Sequence, residues 1–588
     1  MDGELTVELD KVLYVTGNRG PYQIKQSIIC LLACYTIAIP ILSIVFIGYV
    51  PKHRCASLPN VTFLEDFGIN PDHVVDVNIG QCSLGITTNV SGNASHVELP
   101  CVNGFHYDVA RETSIVSEWD LVCDRAGLAE LSQTMLMLGQ CIGGCAFTSL
   151  ADRYGRKPIN VACQLTMIVA SIGLAFINNI GGFTALRFII GAAQEGLGLT
   201  AYSIFVEMCT TNIRPMAGCS GGLAWTSSVI LLAPLAYVMQ YYSWRYFQLA
   251  TVAEHIYGLA TYWIFDESLR WLVANNRIDR AEATIKKICK ANKTDFEKAK
   301  AVLYEQILEC KRAATKRKQH LELVPTTAKD EQANLLEKYS NPPAGETVLS
   351  GMAEPEKYTI LDILKHRDIL KITIALSFIW AVNSLTYYGI FLTSSSMSGN
   401  RFLNYFLYAL VEIPSMICVF FSLKRIGRRT LGVLLHALSG STLIIAVTLL
   451  ATIGTTSAGS IGSVVFSLVG KFAITASYNC LFVFTPELFP TNMRNAGIGL
   501  LSAVSRIGGI LSPFSATLSQ VVIWGPGVVF GSCCVLASML FFLLPETRGR
   551  ELPTTIAEMR EWSQQKRKVS ESKQKGQVSE ICLEKIKQ

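Results

Sequence analysis

Hydrophobic residues run along this chain in long, nearly unbroken stretches, separated by polar segments of very unequal length. A helix needs about 20 mostly apolar residues to cross a bilayer. Twelve stretches meet that need, near 26–49, 127–149, 158–177, 182–207, 216–240, 244–265, 369–393, 402–422, 431–452, 459–484, 497–519 and 523–544. Each is expected to be helical, because hydrocarbon offers no partner to an unpaired backbone group. The pattern predicts an all-α membrane protein with twelve transmembrane helices.

The polar segments orient them. Asp152-Arg-Tyr-Gly-Arg-Lys157 and Lys424-Arg-Ile-Gly-Arg-Arg429 are short and basic, and 267–366 is long and lysine-rich. With twelve crossings these fall on one side together with the tail, and lysine and arginine mark that side as cytoplasmic. The layout expected is a cytoplasmic N-terminus (1–25), a first half (26–265) with an extracellular loop (51–125), a cytoplasmic loop (266–366), a second half (367–545) and a cytoplasmic tail (546–588). Within the cytoplasmic loop, Leu269 to Arg312 carries apolar residues at helical spacing, whereas 313–355 reads as linker and the last twenty or so residues as disordered. The acidic start, with Asp2, Glu4, Glu8 and Asp10, is not that of a cleavable signal peptide.

Composition agrees: half the residues are hydrophobic, 16% are charged, and mean hydropathy is +0.35. The 18 cysteines change the picture more. Most lie in apolar runs, but Cys55, Cys82, Cys101 and Cys123 share the loop 51–125 with sequons at Asn60, Asn89 and Asn93. An even cysteine set beside glycosylation acceptors predicts an oxidised exterior loop with two disulfides, of undetermined pairing. A fourth sequon, Asn292-Lys-Thr294, lies in a basic loop and reads as a chance match.

The chain also repeats itself. Glu207-Met-Cys-Thr-Thr-Asn-Ile-Arg214 recurs as Glu487-Leu-Phe-Pro-Thr-Asn-Met-Arg494, 280 residues later. Arg153-Tyr-Gly155-Arg156 recurs as Arg425-Ile-Gly427-Arg428 at an offset of 272, and Asp266-Glu-Ser as Pro545-Glu-Thr at 279. Three motifs in one order at nearly one offset predict two parallel six-helix halves. In the loops, glycine permits the tight turn, Asp152 is placed to meet a helix N-terminus of the neighbouring bundle, and Arg153 and Arg156 to pair with acids at helix ends. Glu207 with Arg214, and Glu487 with Arg494, are the expected partners of a latch that closes and releases the cytoplasmic side. The alternative is a basic turn that only sets topology.

At these residues a resemblance becomes specific. The Gly155-Arg-Lys loop, Glu267-Ser-Leu-Arg-Trp271, Glu487-Leu-Phe-Pro-Thr491 and Pro545-Glu-Thr-Arg-Gly549 resemble major facilitator motifs shared with sugar porters. Glu8-Leu-Asp-Lys-Val-Leu13, Glu118-Trp-Asp-Leu-Val-Cys123 and Arg506-Ile-Gly-Gly-Ile510 resemble solute carrier family 22, over roughly 8–312 and 355–560. The resemblance implies the major facilitator fold, the plasma membrane and the carriage of organic cations, anions or carnitine-like zwitterions. Thr148, Lys424, Asp266 and Leu269 depart from the usual motifs, which bears on latch geometry and not on the fold.

Ionisable residues inside membrane helices are costly and are functional candidates. Arg506 lies mid-helix; the resemblance matches it to a position that is aspartate in cation carriers and arginine in anion and carnitine carriers. A guanidinium there implies a substrate with a negative group, against the alternative of an interhelical salt bridge. Glu195 can hold an ammonium or a proton, or pair with Arg506 or Arg187. Trp380, Asn383 and Tyr387 share one helical face; the resemblance matches Trp380 and Tyr387 to cavity-lining aromatics, and aromatic faces attract quaternary ammonium. Tyr202, seven residues from Glu195, extends that wall. Glu412 and Lys471 read as a structural pair, and His255 beside Glu254 as a hydrogen-bonding residue, with proton coupling as its alternative.

No P-loop, metal cluster or nucleophile triad is recognisable, so no enzyme activity, catalytic residue, metal, cofactor or nucleic-acid partner is expected. The expected function is alternating-access transport of a small organic ion through a lipid bilayer, of carnitine type, driven by a gradient with Na+ or H+ as possible coupling ion. An organic-anion carrier, an organic-cation carrier and a non-transporting receptor are the alternatives.

Overall fold

A computed structural model describes residues 9–56, 73–90, 93–210, 213–322, 367–397, 399–454, 456–490 and 493–548. Asn60, the segment 323–366 and the tail from 549 lie outside the described residues, as do Thr211, Asn212, Thr491 and Asn492; the side chain of Arg214 is not described either.

Among the described residues, ten helices are long and apolar enough to cross a membrane: Pro21–Ile47, Cys123–Tyr154, Arg156–Phe176, Ile180–Met208, Ala217–Val238, Ile369–Thr393, Arg401–Arg425, Arg428–Ile453, Ser457–Leu488 and Gly497–Ser519. The sixth predicted stretch forms two shorter helices, Trp244–Ala253 and Gly258–Ile264, and the twelfth forms Gly525–Phe541. Every predicted stretch is thus helical, in two six-helix halves. In the first half the second span packs closely on the fourth, and in the second half the ninth packs on the tenth and twelfth.

The first span is itself broken, into Pro21–Thr36, Ile39–Leu42 and Ile44–Ile47. Breaks inside a bilayer persist where side chains take up the freed backbone groups. Here Arg187, 1% exposed, donates to the Pro40 carbonyl at 2.8 Å, Gln133 donates to Ile41 at 3.0 Å, and Gln194 reaches the Ile37 carbonyl. Gln133 in turn accepts from Arg187. This buried cation therefore staples the broken helix and does not pair with Glu195.

The cysteine-rich loop adds β-structure to an otherwise helical chain. Strand β1 (His53–Cys55) pairs with β5 (Phe105–Tyr107), and β2 (Val74–Ile79), β3 (Ser83–Val90) and β4 (Asn93–Pro100) form an antiparallel meander. Its small core is Leu84, Ile86 and Leu99 against Cys55. Disulfides join Cys55 to Cys101 and Cys82 to Cys123, with Cα separations of 5.1 and 5.6 Å. Asn93 stands opposite Val90 at the tip of the β3–β4 hairpin, and Asn89 opposite Ala94. Glu118 docks the loop on the sixth span, accepting from Arg245 at 2.6 Å and from the Trp244 indole.

On the opposite side, Leu9–Val15 packs with helices Leu269–Ala274, Ile278–Asn292 and Phe296–Glu322 around Val12, Leu13, Trp271, Ile285 and Leu303. Asn292 is committed there: its amide donates to Thr16, Gly17 and Gln23 and accepts from the Tyr22 N–H at 3.0 Å. That engagement leaves this sequon no free amide to carry a glycan.

Candidate functional site

Two ion pairs lie near mid-membrane. Arg506 of the eleventh span donates to Glu195 of the fourth at 2.6 Å and to Gln140 of the second at 3.2 Å. Glu195 and Gln140 belong to one half and Arg506 to the other, so the pair bridges them. The two charged side chains keep 16% and 21% of their surface exposed, enough to be reached from a cavity. The rings of Tyr388 and Tyr478 lie beside the pair. Ser384 and Ser505 surround the Tyr478 hydroxyl.

The second pair is sealed. Lys471 meets Glu412 at 3.2 Å, with side chains 0% and 1% exposed, and its ammonium lies 3.3 Å from the Tyr387 ring centroid and 3.8 Å from that of Phe391. Tyr387 donates to Glu412 at 2.6 Å, Thr226 of the fifth span donates to it at 3.0 Å, and the Trp225 indole donates to Tyr387 at 3.0 Å. Three residues, Lys471 and Tyr387 from two spans of one half and Thr226 from one span of the other, thus satisfy one buried carboxylate, as burial of a charge requires.

The expected aromatic wall divides. Tyr202 is exposed, while Trp380, Asn383 and Tyr387 are all buried. Trp380 donates to Thr485 at 3.0 Å and packs on Tyr478 and Phe482, so its ring faces its own half. Asn383 has no hydrogen-bond partner for either amide atom. Tyr388, one residue past the predicted face, is the aromatic of the seventh span beside Arg506.

Contacts between halves gather from the midplane toward the cysteine-rich side. Thr134 donates to the Ile510 carbonyl at 3.3 Å, Phe46 stacks on Phe402 at 5.6 Å, and Arg401 lies 3.5 Å from the Tyr49 ring centroid. Toward the basic side the second span becomes exposed at Cys145, Ala146 and 148–150.

Each basic loop is braced inside its own half. Arg156 pairs with Asp152 at 3.1 Å and with Glu207 at 3.3 Å, and Arg428 pairs with Glu487 at 3.3 Å. The N-terminus of the helix Arg156–Phe176, in the same half, is capped by Glu267, which accepts from the Arg156 and Lys157 N–H groups at 3.0 and 3.1 Å. Glu546 does the same for Arg428 at 2.8 Å. A carboxylate on free N–H groups is favoured by the helix dipole, and Asp152 is left to its own helix and Arg156. Arg494 donates to the Pro486 carbonyl at 2.7 Å rather than to Glu487. Arg153 lies 5.4 Å from the Tyr154 ring, and the Arg425 carbonyl accepts from Arg548. Glu267 and Glu546 were visible in the repeat, yet nothing in the sequence named their N–H partners.

These carboxylates come close to two glycines. A Cβ on Gly155 would lie 2.4 Å from Glu267 Oε2, and one on Gly427 would lie 2.2 Å from Glu546 Oε2. Gly155 also has φ of +112°, which side chains resist, whereas Gly427 has an ordinary φ of −64°. Alanine at either glycine is expected to lower the melting temperature of the purified protein, and more so at Gly155, where about 1–2 kcal/mol of backbone strain adds to the lost contact. Equal melting of Gly155→Ala and wild type would contradict the bracing.

The family model of the Major Facilitator Superfamily matches residues 126–513. The chain is 31% identical to "Organic cation transporter protein" of Drosophila melanogaster, over 93% of each chain. It is 27% identical to "Solute carrier family 22 member 6-A" of Xenopus laevis, over 98% of this chain and 97% of the other. Among solved structures, the partially occluded inward-open xylose transporter XylE of E. coli aligns with a TM-score of 0.56 at 14% identity, covering 90% of this chain and all of that one.

Proposed function

Since the chain belongs to the major facilitator superfamily and, within it, to solute carrier family 22, we propose that it carries small organic ions by alternating access and that its substrates are zwitterions or cations of carnitine type. The observation that supports this most is the Glu195–Arg506 pair, one anion and one cation facing across the two halves. A zwitterion can insert its carboxylate at Arg506 and its ammonium at Glu195, replacing charge for charge. Neither protein group is then left buried without a partner, the costly outcome for an intramembrane ion. Tyr388 and Tyr478 lie close enough to Arg506 to interact with it electrostatically and so border the place of the ammonium. The printed names of relatives, an organic cation transporter and a solute carrier family 22 member, agree with an organic-ion substrate.

The braced loops keep each half rigid, so that substrate separating the central pair lets one half rock against the other. Trp380, Asn383 and Tyr387 support this from behind, and Tyr202 lines the approach. The membrane proposed is the plasma membrane with both termini cytoplasmic, since two disulfides need an oxidising exterior. Arg506 itself favours a second reading, an organic-anion carrier in which Glu195 is only a counter-ion.

Uptake of three tracers by cells expressing the protein at the surface separates these readings. Carnitine should accumulate saturably and be competed by tetraethylammonium more strongly than by an aromatic carboxylate. Accumulation of the aromatic carboxylate alone would establish the anion reading, and saturable binding without accumulation would make the protein a receptor.

A further inference from the structure

A second cavity, of about 560 Å³, lies on the cysteine-rich side between the halves. Its size falls within the range of about 300–1,000 Å³ typical of small-molecule sites. It is bounded by the broken end of the first span, the start of the second, the ends of the seventh and eleventh, and the Cys82–Cys123 disulfide. Arg506, Glu195 and Gln140 are not among its lining residues.

Among the described residues, Glu130 is the one carboxylate lining this cavity. It is 8% exposed, and its Oε2 completes no hydrogen bond. The Thr517 hydroxyl stands next to it from the opposite half as its nearest side-chain donor. No basic side chain pairs with Glu130 among the described residues. The neighbouring cation, Arg187, is occupied by the Pro40 carbonyl and Gln133. Lys52 and His53 line the outer part of the same cavity; Lys52 is exposed, and His53 Nδ1 donates to the Pro51 carbonyl at 3.0 Å.

An unpaired carboxylate this deep carries a desolvation cost that only a cation or a donor set offsets. The protein supplies no cation and, beside the backbone, only the Thr517 hydroxyl as a donor, while the surrounding wall is largely apolar: Ile44, Val45, Ala129, Leu392 and Pro513. We propose that this cavity is a second ligand site, in which Glu130 holds the charged head of a small organic ammonium ion and Thr517 orients it, distinct from the transport site at Arg506. Because Glu130 and Thr517 come from different halves, an ammonium held between them bridges the halves on the side where they already touch, and so favours the conformation open to the basic side.

The test uses the full chain in lipid nanodiscs, where both faces are accessible and no assumption about topology enters. Thr517→Cys is labelled with two methanethiosulfonates of similar size, one bearing trimethylammonium and one bearing sulfonate. Labelling at position 517 is read by peptide mass spectrometry. The cationic reagent should react at least about tenfold faster than the anionic one, and excess tetraethylammonium should slow it. Adding Glu130→Gln should abolish both effects, while adding Arg506→Ala should leave them intact, which separates this site from the central one. Ala516→Cys, on the same wall, gives the same reading should Thr517→Cys not fold. Equal rates for the two reagents, tetraethylammonium protection that survives Glu130→Gln, or absence of labelling at both positions would each overturn the proposal.

Discussion

Arg506→Ala is expected to lower carnitine-type uptake by about 30- to 1,000-fold at matched surface abundance. The estimate starts from the loss of one partner of a buried ion pair, about 3–5 kcal/mol, reduced to about 2–4 because both side chains retain some exposure. Each 1.4 kcal/mol is about tenfold in affinity or rate. The loss has two sources that act together: the substrate carboxylate has no guanidinium to bind, and Glu195 keeps an uncompensated charge with only Gln140 nearby. Tetraethylammonium, which needs no anion site, should lose far less, and its uptake measured in parallel separates a specific defect from a misfolded carrier. Carnitine uptake equal to wild type in a surface-expressed Arg506→Ala protein would remove Arg506 from the site.

The second large effect concerns folding. Lys471→Met should leave Glu412 charged and 1% exposed, with only Tyr387 and Thr226 to hold it. Breaking a fully buried pair costs about 3–5 kcal/mol, whereas replacing both partners by neutral groups is often close to harmless. Surface abundance and melting temperature should therefore fall sharply in Lys471→Met and recover in Lys471→Met combined with Glu412→Gln. A single variant as stable as wild type would show that this network does not hold the second half together. The two pairs differ in burial: the Lys471–Glu412 side chains are 0% and 1% exposed, those of Arg506 and Glu195 21% and 16%.

The membrane spans were legible because a bilayer imposes a length on every apolar run, and that single constraint leaves few alternatives. It says less about breaks: the interruption at 254–257 in the sixth span and those near Ile37 and Ser43 in the first depend on partners such as Gln164, Arg187 and Gln133 from other helices. The β-meander stayed hidden because its first strand does not alternate cleanly, with the apolar side chains of Val75 and Ile79 67% and 41% exposed. Disulfide pairing required the strand register that sets Cys55 beside Phe105, a few residues from Cys101.

In the site, charge was the readable signal. Arg506, Glu195, Glu412 and Lys471 stand out in apolar runs, and the structure joins them into two pairs, with Arg187 in neither. Periodicity placed Trp380, Asn383 and Tyr387 on one face correctly as a geometric statement, since they are buried together, but spacing does not say which neighbour a face meets. That face turns to the tenth, eighth and fifth spans, and Tyr388 meets Arg506 instead.

The most direct test of the account is carnitine uptake by Glu195→Gln combined with Arg506→Gln, normalised to surface abundance and set beside each single variant. If the pair is the substrate site, the double variant should reach the surface like wild type, because no buried charge is left alone, yet carnitine uptake should remain as low as in Arg506→Ala. If the pair only holds the halves together, neutralising both partners should restore carnitine uptake along with folding, and that result would contradict the account.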